Sequence, residues 1–257
     1  MQIRRHIQDI WLQVFPPPPF DMRDDLPVLP LPRGGPAQTR AALDAYVQVL
    51  LADIAAYAPA PVPSLIVTGA MRCGKTLVAR RVARRNGLYH VPGDRLRKAT
   101  FRNCDQATKL RILKYICKRL LLAHPTGLVL DSTIFLDRGV TLPHWASKRG
   151  MHCVAIGYSQ DDPARKAQSM IAFRKTAKCW TSRSKSDADM HKLARQIIFR
   201  SKEIKALCAT QGWPYFDLEA DAFSREKRRV VYAIETLLHR EQTAPQGRGA
   251  ARDKPAL

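Results

Sequence analysis

The sequence has no closely spaced cysteine pair and no long apolar run. None of its six cysteines belongs to a C-x-x-C pair, which argues against a disulfide framework and against a cysteine zinc site. No apolar stretch approaches the roughly 20 residues of a membrane span. Charged side chains interrupt residues 3–15, which argues against a secretory signal. We therefore expect reduced thiols and a cytoplasmic location.

Acidic residues are also scarce. The chain has 22 Asp and Glu residues against 43 Lys and Arg residues, a formal net charge of +21. Such an excess indicates a polyanionic partner, for example nucleic acid or a phosphorylated substrate, or else a generally basic surface. The excess is spread along the chain, and this distribution leaves both interpretations open.

Composition divides the chain into four parts. Residues 1–36 are rich in proline, with four consecutive prolines at 16–19, and they predict an extended arm. Residues 37–62 predict a helix followed by a linker. Residues 63–242 predict the main domain, and the polar segment 243–257 predicts a disordered tail.

One stretch of the main domain fits G-x-x-x-x-G-K-[ST], the pattern of a phosphate-binding loop. The apolar run 64–68 before it predicts a buried strand, and residues 77–86 after it predict a helix. In that setting the Lys75 ammonium would bind the β- and γ-phosphates of ATP, and the Thr76 hydroxyl would bind Mg²⁺. The alternative is a chance match in a loop that packs a helix on a sheet. The predicted ATP-binding residues are Gly69, Ala70, Met71, Arg72, Cys73, Gly74, Lys75 and Thr76.

Further apolar runs alternate with helical patterns along the rest of the main domain. The runs are at 88–91, 127–130, 153–156 and 215–216. This alternation predicts an α/β fold of three layers, in which helices cover both faces of a five-stranded parallel sheet. Ligands of such sheets bind at the carboxyl ends of the strands.

Aspartates follow two of these strands at the predicted ligand-binding edge. Asp94 follows the second strand and is a candidate general base, although it could instead cap the helix after it. Asp131 ends the third strand and is a candidate Mg²⁺ ligand through water; the alternative is a turn residue at a strand end.

These segments resemble the P-loop kinases. Residues 89–97, Y-H-V-P-G-D-R-L-R, are similar to the adenylate kinase segment H-I-S-T-G-D-x-L-R. In that family the arginine of this segment, here Arg97, binds the phosphate of the acceptor. L-D-S-T at 130–133, with Arg138, resembles polynucleotide 5′-hydroxyl kinases and zeta-toxin-like kinases. The resemblance covers about residues 63–240. It implies a kinase that uses ATP and Mg²⁺ and that closes an Arg-bearing helical lid over the site.

The same resemblance implies a lid arginine that stabilises the charge of phosphoryl transfer. The candidates are Arg165, Arg174 and Arg183, and we select Arg174, at the end of a predicted helix. The sequence departs from many small-molecule kinases at Arg72, where they carry glycine, and this difference could alter the curvature of the loop. It also lacks the long zinc-bearing lid insert of some adenylate kinases, which argues against ordinary adenylate kinase activity.

Three functions follow as alternatives. The first is a kinase that phosphorylates a nucleotide, another small molecule or a polynucleotide 5′ end. The second is a mechanical or regulatory NTPase, which needs a glutamate after Asp131, where Ser132 stands. The third is a nucleic-acid-binding protein with a regulatory ATP site.

The predicted helix 105–124 carries three basic residues on one face, but aromatic residues are sparse there, and this favours a small-molecule or nucleotide acceptor. The three basic residues are Arg111, Lys114 and Lys118.

Overall fold

The computed structural model describes residues 36–100, 105–136, 141–176, 186–220 and 222–240. The helices in these ranges are α1 (Pro36–Tyr57), α2 (Lys75–Asn86), α3 (Gly93–Thr100), α4 (Gln106–Ala123), α5 (Thr141–Ser147), α6 (Pro163–Thr176), α7 (Asp187–Gln211) and α8 (Phe223–Arg240). The strands are β1 (Leu65–Gly69), β2 (Tyr89–Pro92), β3 (Leu128–Asp131), β4 (His152–Gly157) and β5 (Tyr215–Asp217). A single 3-10 turn covers Ile134–Leu136. The C-terminal tail and, apart from its last residue, the predicted arm lie outside the described residues.

The five strands form one sheet in the order β2-β3-β1-β4-β5, and every pairing is parallel. The predicted α/β fold with a five-stranded parallel sheet is therefore confirmed. β1 lies at the centre, where Leu65 aligns with Val129 on β3 and with His152 on β4. Because β3 lies between β1 and β2, the carboxyl ends of the three strands that carry predicted site residues are adjacent.

Apolar residues of the central strands and of the covering helices form the core. Leu65, Ile66 and Val67 on β1 are fully buried, as expected for a parallel strand that is covered on both faces. α2 buries one apolar stripe and ends at Gly87, whose φ of 63° is the left-handed conformation of a helix C-cap. No helix in the described ranges is both long enough and apolar enough to span a bilayer.

The N-terminal helix α1 belongs to the same core. The Tyr89 hydroxyl of β2 donates a hydrogen bond to the Asp53 carboxylate, and the Tyr115 hydroxyl of α4 donates one to Asp44. α1 is therefore tied both to α4 and to the strand that leads to the predicted acceptor site. Its buried stripe consists of Leu43, Val47, Leu50 and Ile54.

Gly69 lies at the start of the phosphate loop, where β1 and β4 approach each other closely. A Cβ atom at Gly69 would lie 1.9 Å from the Ile156 carbonyl oxygen, and its φ of 139° is strained for other residues. Gly150 also has a positive φ, 74°, but a Cβ there meets nothing within 4 Å.

We expect Gly150→Ala to lower the free energy of unfolding by about 1–2 kcal/mol and Gly69→Ala to lower it by at least about 3 kcal/mol more. Urea denaturation measures both, and equal losses would contradict the close approach.

Candidate active site

The loop between β1 and α2 has the backbone shape of a phosphate-binding loop. Gly74, the N-cap of α2, has a φ of 78°, and a Cβ atom there would lie 2.5 Å from the Phe223 ring of α8. Arg72 has a φ of 59°, the left-handed conformation that a glycine adopts without strain. The arginine thus keeps a glycine-like backbone at a cost of about 1–2 kcal/mol. Strain of this kind is concentrated at functional sites.

Lys75 lies within the loop, with only 7% of its surface exposed. Its Nζ donates a hydrogen bond to the Ala70 carbonyl at 2.7 Å and lies 3.7 Å from the Cys73 Sγ. The ammonium is therefore held inside the curve of the loop, where backbone N–H groups and the N-terminus of α2 also favour negative charge.

Asp131 joins the phosphate loop to the second strand. Its Oδ2 accepts a hydrogen bond from the Thr76 hydroxyl at 2.6 Å, and its Oδ1 lies 2.8 Å from the His90 Nε2. Asp131 is 4% exposed and His90 is fully buried. Since an ionised carboxylate only accepts hydrogen bonds, the His90 Nε2 carries the proton and donates it.

The Thr76–Asp131 pair provides the donor set that Mg²⁺ prefers. The proton of the Thr76 hydroxyl is directed to Asp131, which leaves the oxygen lone pairs of Thr76 to accept a cation. Carboxylate and hydroxyl oxygens are hard ligands suited to Mg²⁺. The predicted assignment of Thr76 and Asp131 as the metal site is thus chemically consistent with their arrangement.

His90 is a site residue that the sequence did not identify. It lies in β2, where His90 aligns with Val129 and Pro92 aligns with Asp131. The sequence signal was a histidine inside a predicted buried strand. That signal does not identify the hydrogen-bond partner of His90, because the partner is set by β3 lying next to β2 in the sheet. A buried imidazole that donates to a carboxylate fixes the orientation of that carboxylate, so His90 is a positioning residue for Asp131.

The predicted acceptor side follows β2 directly. A Cβ atom at Gly93 would lie 2.8 Å from the Asp131 carbonyl oxygen, so the start of α3 packs against the end of β3. The Asp94 side chain is 71% exposed and its Oδ1 lies 3.5 Å from the Arg97 Nη2. The structure thus places Asp94 and Arg97 in the first two turns of α3, and their roles stay predictions. Arg138 lies outside the described residues.

The two predicted lid arginines within the described residues bind different carboxylates. Arg165 binds Asp161 at 2.7 Å, and Arg174 forms an ion pair with Asp187 that links α6 to α7. Arg183 lies outside the described residues. The selection of Arg174 as catalytic stays a prediction.

Lys166 is the basic residue of α6 that faces the phosphate loop, and the sequence did not identify it. It is 4% exposed, and its Nζ lies 3.3 Å from the centre of the Tyr158 ring. Burial lowers the pKa of Lys166 to about 8; the nearby Cys73 and Asp161 groups oppose this shift, and Arg72 adds to it. Lys166 follows the exposed Arg165 in a helix with many basic residues, so the sequence carried no signal that separated the two.

The comparisons with known proteins find similarity only among solved structures. No protein-family model and no curated protein matches the chain. A shikimate kinase from Bacteroides thetaiotaomicron aligns at a TM-score of 0.49 and 15% identity, over 68% of this chain and 99% of that one. A shikimate kinase from Aquifex aeolicus aligns at 0.38 and 11%, over 68% and 97%. A candidate kinase from Chloroflexus aurantiacus aligns at 0.43 and 13%, over 70% and 98%. TM-scores below 0.5 at such identities do not establish a shared family.

His90 can be tested by changing its hydrogen bond to Asp131. We expect His90→Leu to raise the Mg²⁺ concentration that half-saturates Mg-nucleotide binding by about 10- to 100-fold, because the carboxylate loses its orienting donor. His90→Gln retains an N–H donor and is expected to stay closer to the parent protein. Calorimetric titration of nucleotide at a series of Mg²⁺ concentrations measures this. A His90→Leu protein that loses thermal stability but keeps its Mg²⁺ requirement would contradict the positioning role.

Lys166 can be tested by the pH dependence of stability. Its pKa is lower in the folded chain than in the unfolded chain, so between about pH 8 and the ordinary lysine value of 10.5 the unfolded chain binds more protons. The free energy of unfolding of the parent protein therefore rises with pH in this window relative to Lys166→Met, by at most roughly 3 kcal/mol. Urea denaturation between pH 7 and 10 measures the difference, with the exposed Lys202→Met as the control. If the free energy of unfolding of the parent protein relative to Lys166→Met does not change with pH, the lowered pKa of Lys166 in the folded chain is contradicted.

Proposed function

We propose that this protein is an ATP-dependent phosphotransferase that moves the γ-phosphoryl group of Mg-ATP to a hydroxyl or phosphate acceptor. The observation that carries the proposal is the chain of contacts Thr76–Asp131–His90 directly below a glycine-bounded loop. A chance match to the loop pattern gives no reason for a buried carboxylate to bind the threonine of that pattern. The adjacent buried Lys75 adds the charge that the phosphates need.

Mg²⁺ would be held by the Thr76 hydroxyl and, through water, by Asp131. It would supply neutralisation of the β- and γ-phosphate charge. His90 keeps the Asp131 carboxylate turned toward Thr76, and the loop amides with Lys75 bind the phosphate oxygens. These groups position the γ-phosphate at the carboxyl end of β1.

Asp94 is the proposed general base for a hydroxyl acceptor. The acceptor oxygen forms a bond to the γ-phosphorus while the bond from that phosphorus to the β–γ bridging oxygen breaks, so ADP leaves. The acceptor proton passes to the Asp94 carboxylate, whose 71% exposure leaves it accessible to a substrate. Arg97, one helical turn away, is the proposed partner of an anionic group on the acceptor.

A water-activating NTPase is the second candidate, and one observation separates it from the kinase. Ser132 follows Asp131, and the Ser132 carbonyl accepts a hydrogen bond from Thr68 at 2.9 Å. Ser132 therefore continues the strand-end packing and offers no carboxylate to activate water. An acceptor other than water fits this edge of the sheet better.

The test is a transfer screen with γ-labelled ATP over nucleosides, nucleotides, sugars and 5′-hydroxyl oligonucleotides. We expect Mg²⁺-dependent transfer to one of these classes. Lys75→Ala is expected to lower the rate by at least about 100-fold, because the lysine charge serves the transferring group. Lys202→Ala, an exposed lysine on α7, is the matched control and is expected to retain the rate.

Asp94→Asn in the same assay tests the acceptor side. Its transfer rate is expected to fall by about 100-fold with ATP affinity unchanged, while Glu203→Gln, at another exposed carboxylate, is expected to have little effect. Phosphate release to water with every acceptor would favour the NTPase. Unchanged transfer by a folded Lys75→Ala protein would remove this loop from the mechanism.

A further inference from the structure

Helices α2 and α8 lie side by side and run in the same direction. The Phe223 ring at the start of α8 packs against Gly74 at the start of α2. Further along, the Arg85 Nε binds the Glu235 Oε1 at 2.7 Å. The stretch of α2 between these two contacts is nearly as long as the corresponding stretch of α8. The two helices therefore lie side by side over the whole length of α2, which is about 18 Å. Their outer sides form one continuous surface.

This surface is rich in arginine and contains one exposed tyrosine. α2 buries its apolar stripe and has no acidic residue, so its exposed side is basic. α8 exposes arginines in its first two turns and then Tyr232, which is 71% exposed. We call this surface the arginine face; it consists of Arg80, Arg81, Arg84, Arg85, Arg225, Arg228, Arg229 and Tyr232.

The acidic residues of α8 do not neutralise the arginine face. Glu226 and Glu235 are each 8% exposed. Glu226 binds Arg229 at 2.6 Å, and Glu235 binds Arg85. Arg225 lies 3.3 Å from Glu219, which precedes α8, and 3.8 Å from Glu226. These pairs leave a clear positive excess. They also orient the guanidinium groups of Arg85 and Arg229, each more than half exposed.

Part of the basic side of α4, which the sequence suggested for a polynucleotide, contacts other groups of the protein. Arg119 lies 3.6 Å from Asp44 of α1. The Lys118 ammonium lies over the Trp145 ring at 5.7 Å, whereas Arg111 is exposed and bonds only the Thr108 hydroxyl of its own helix among the contacts of the described residues. The α2–α8 surface differs from α4 in its larger number of arginines and in its exposed aromatic ring, and these two features favour it as the place where the positive excess meets a partner.

We propose that the arginine face binds single-stranded nucleic acid. Guanidinium groups bind phosphate oxygens in pairs of hydrogen bonds, and a row of them along two helices matches a phosphodiester backbone. Tyr232 lies one helical turn beyond Arg228 and, on the paired helices, close to the level of Arg81 and Arg84. It offers an exposed ring on which an unpaired base can stack. Duplexes hide the faces of their bases, so the tyrosine selects for single strands.

This inference is independent of the proposed phosphotransferase activity. The arginine face extends from the loop end of α2 toward Arg85, away from the Thr76–Asp131 pair. Nucleic acid bound there does not need Lys75 or Asp94. Lys75→Ala is therefore expected to bind oligonucleotides as the parent protein does, and failure of either hypothesis leaves the other one testable.

The test is fluorescence anisotropy of the full chain with labelled 12-nucleotide oligo-dT and oligo-U, at salt concentrations between about 50 and 200 mM. We expect binding that weakens steeply with salt, because neutralised phosphates release counterions. The triple variant Arg81→Glu, Arg84→Glu, Arg228→Glu is expected to bind at least tenfold more weakly with a smaller salt slope. These three arginines avoid the ion pairs that hold Glu226 and Glu235, so the fold is retained.

The matched control reverses three charges on α4, with Arg111→Glu, Lys114→Glu and Lys118→Glu, and is expected to change affinity by less than about twofold. Tyr232→Ala is expected to weaken binding by at least about fivefold with an unchanged salt slope, while Tyr232→Phe retains the affinity. Equal losses in both triple variants would show a net-charge effect and overturn the proposal. Absence of binding at 50 mM salt, or tighter binding to anionic phosphatidylserine vesicles than to either oligonucleotide, would also overturn it.

Discussion

The buried carboxylate of Asp131 is the group on which the arrangement of this edge of the sheet depends. It accepts one hydrogen bond from Thr76 at the start of α2 and one from His90 of β2, while its own strand lies between β2 and β1, the strand that leads to α2. Burying a carboxylate without partners is costly, so the two donors and the acceptor stabilise one another. Loss of either donor takes one of these two hydrogen bonds from the buried carboxylate, so Asp131 links the start of α2 to β2.

The fold followed from the sequence because its signals are local and repeated. Each apolar run became a strand, and the pattern at 69–76 became the end of β1, a loop and the start of α2. The sheet order carried no local signal, and the position of His90 beside Asp131 depends on it. The sequence placed His90 within the second predicted strand and Asp131 at the end of the third, but it could not show that these strands are neighbours.

Lys166 and Arg72 show a second limit of sequence reasoning, which concerns the local environment of single residues. In the sequence Lys166 is one basic residue among many, and its expected place is a solvated surface. Arg72 was a predicted ATP-binding residue that could alter the curvature of the loop. Lys166 is instead buried over the Tyr158 ring, where a cation–π contact offsets part of the cost of burial. Arg72 keeps a left-handed backbone that normally favours glycine. Arg72 belongs to the loop between β1 and α2, and Lys166 is close enough to it for the two charges to interact.

The packing of Phe223 against Gly74 also fixes an order of events during synthesis. The aromatic ring that covers Gly74 belongs to α8, which is synthesised long after the loop residues. β5, which leads into that helix, pairs only with β4 at the edge of the sheet. The four strands β1 to β4 can therefore pair before α8 is synthesised, whereas the phosphate loop reaches its final packing only after Phe223 has been added to the chain.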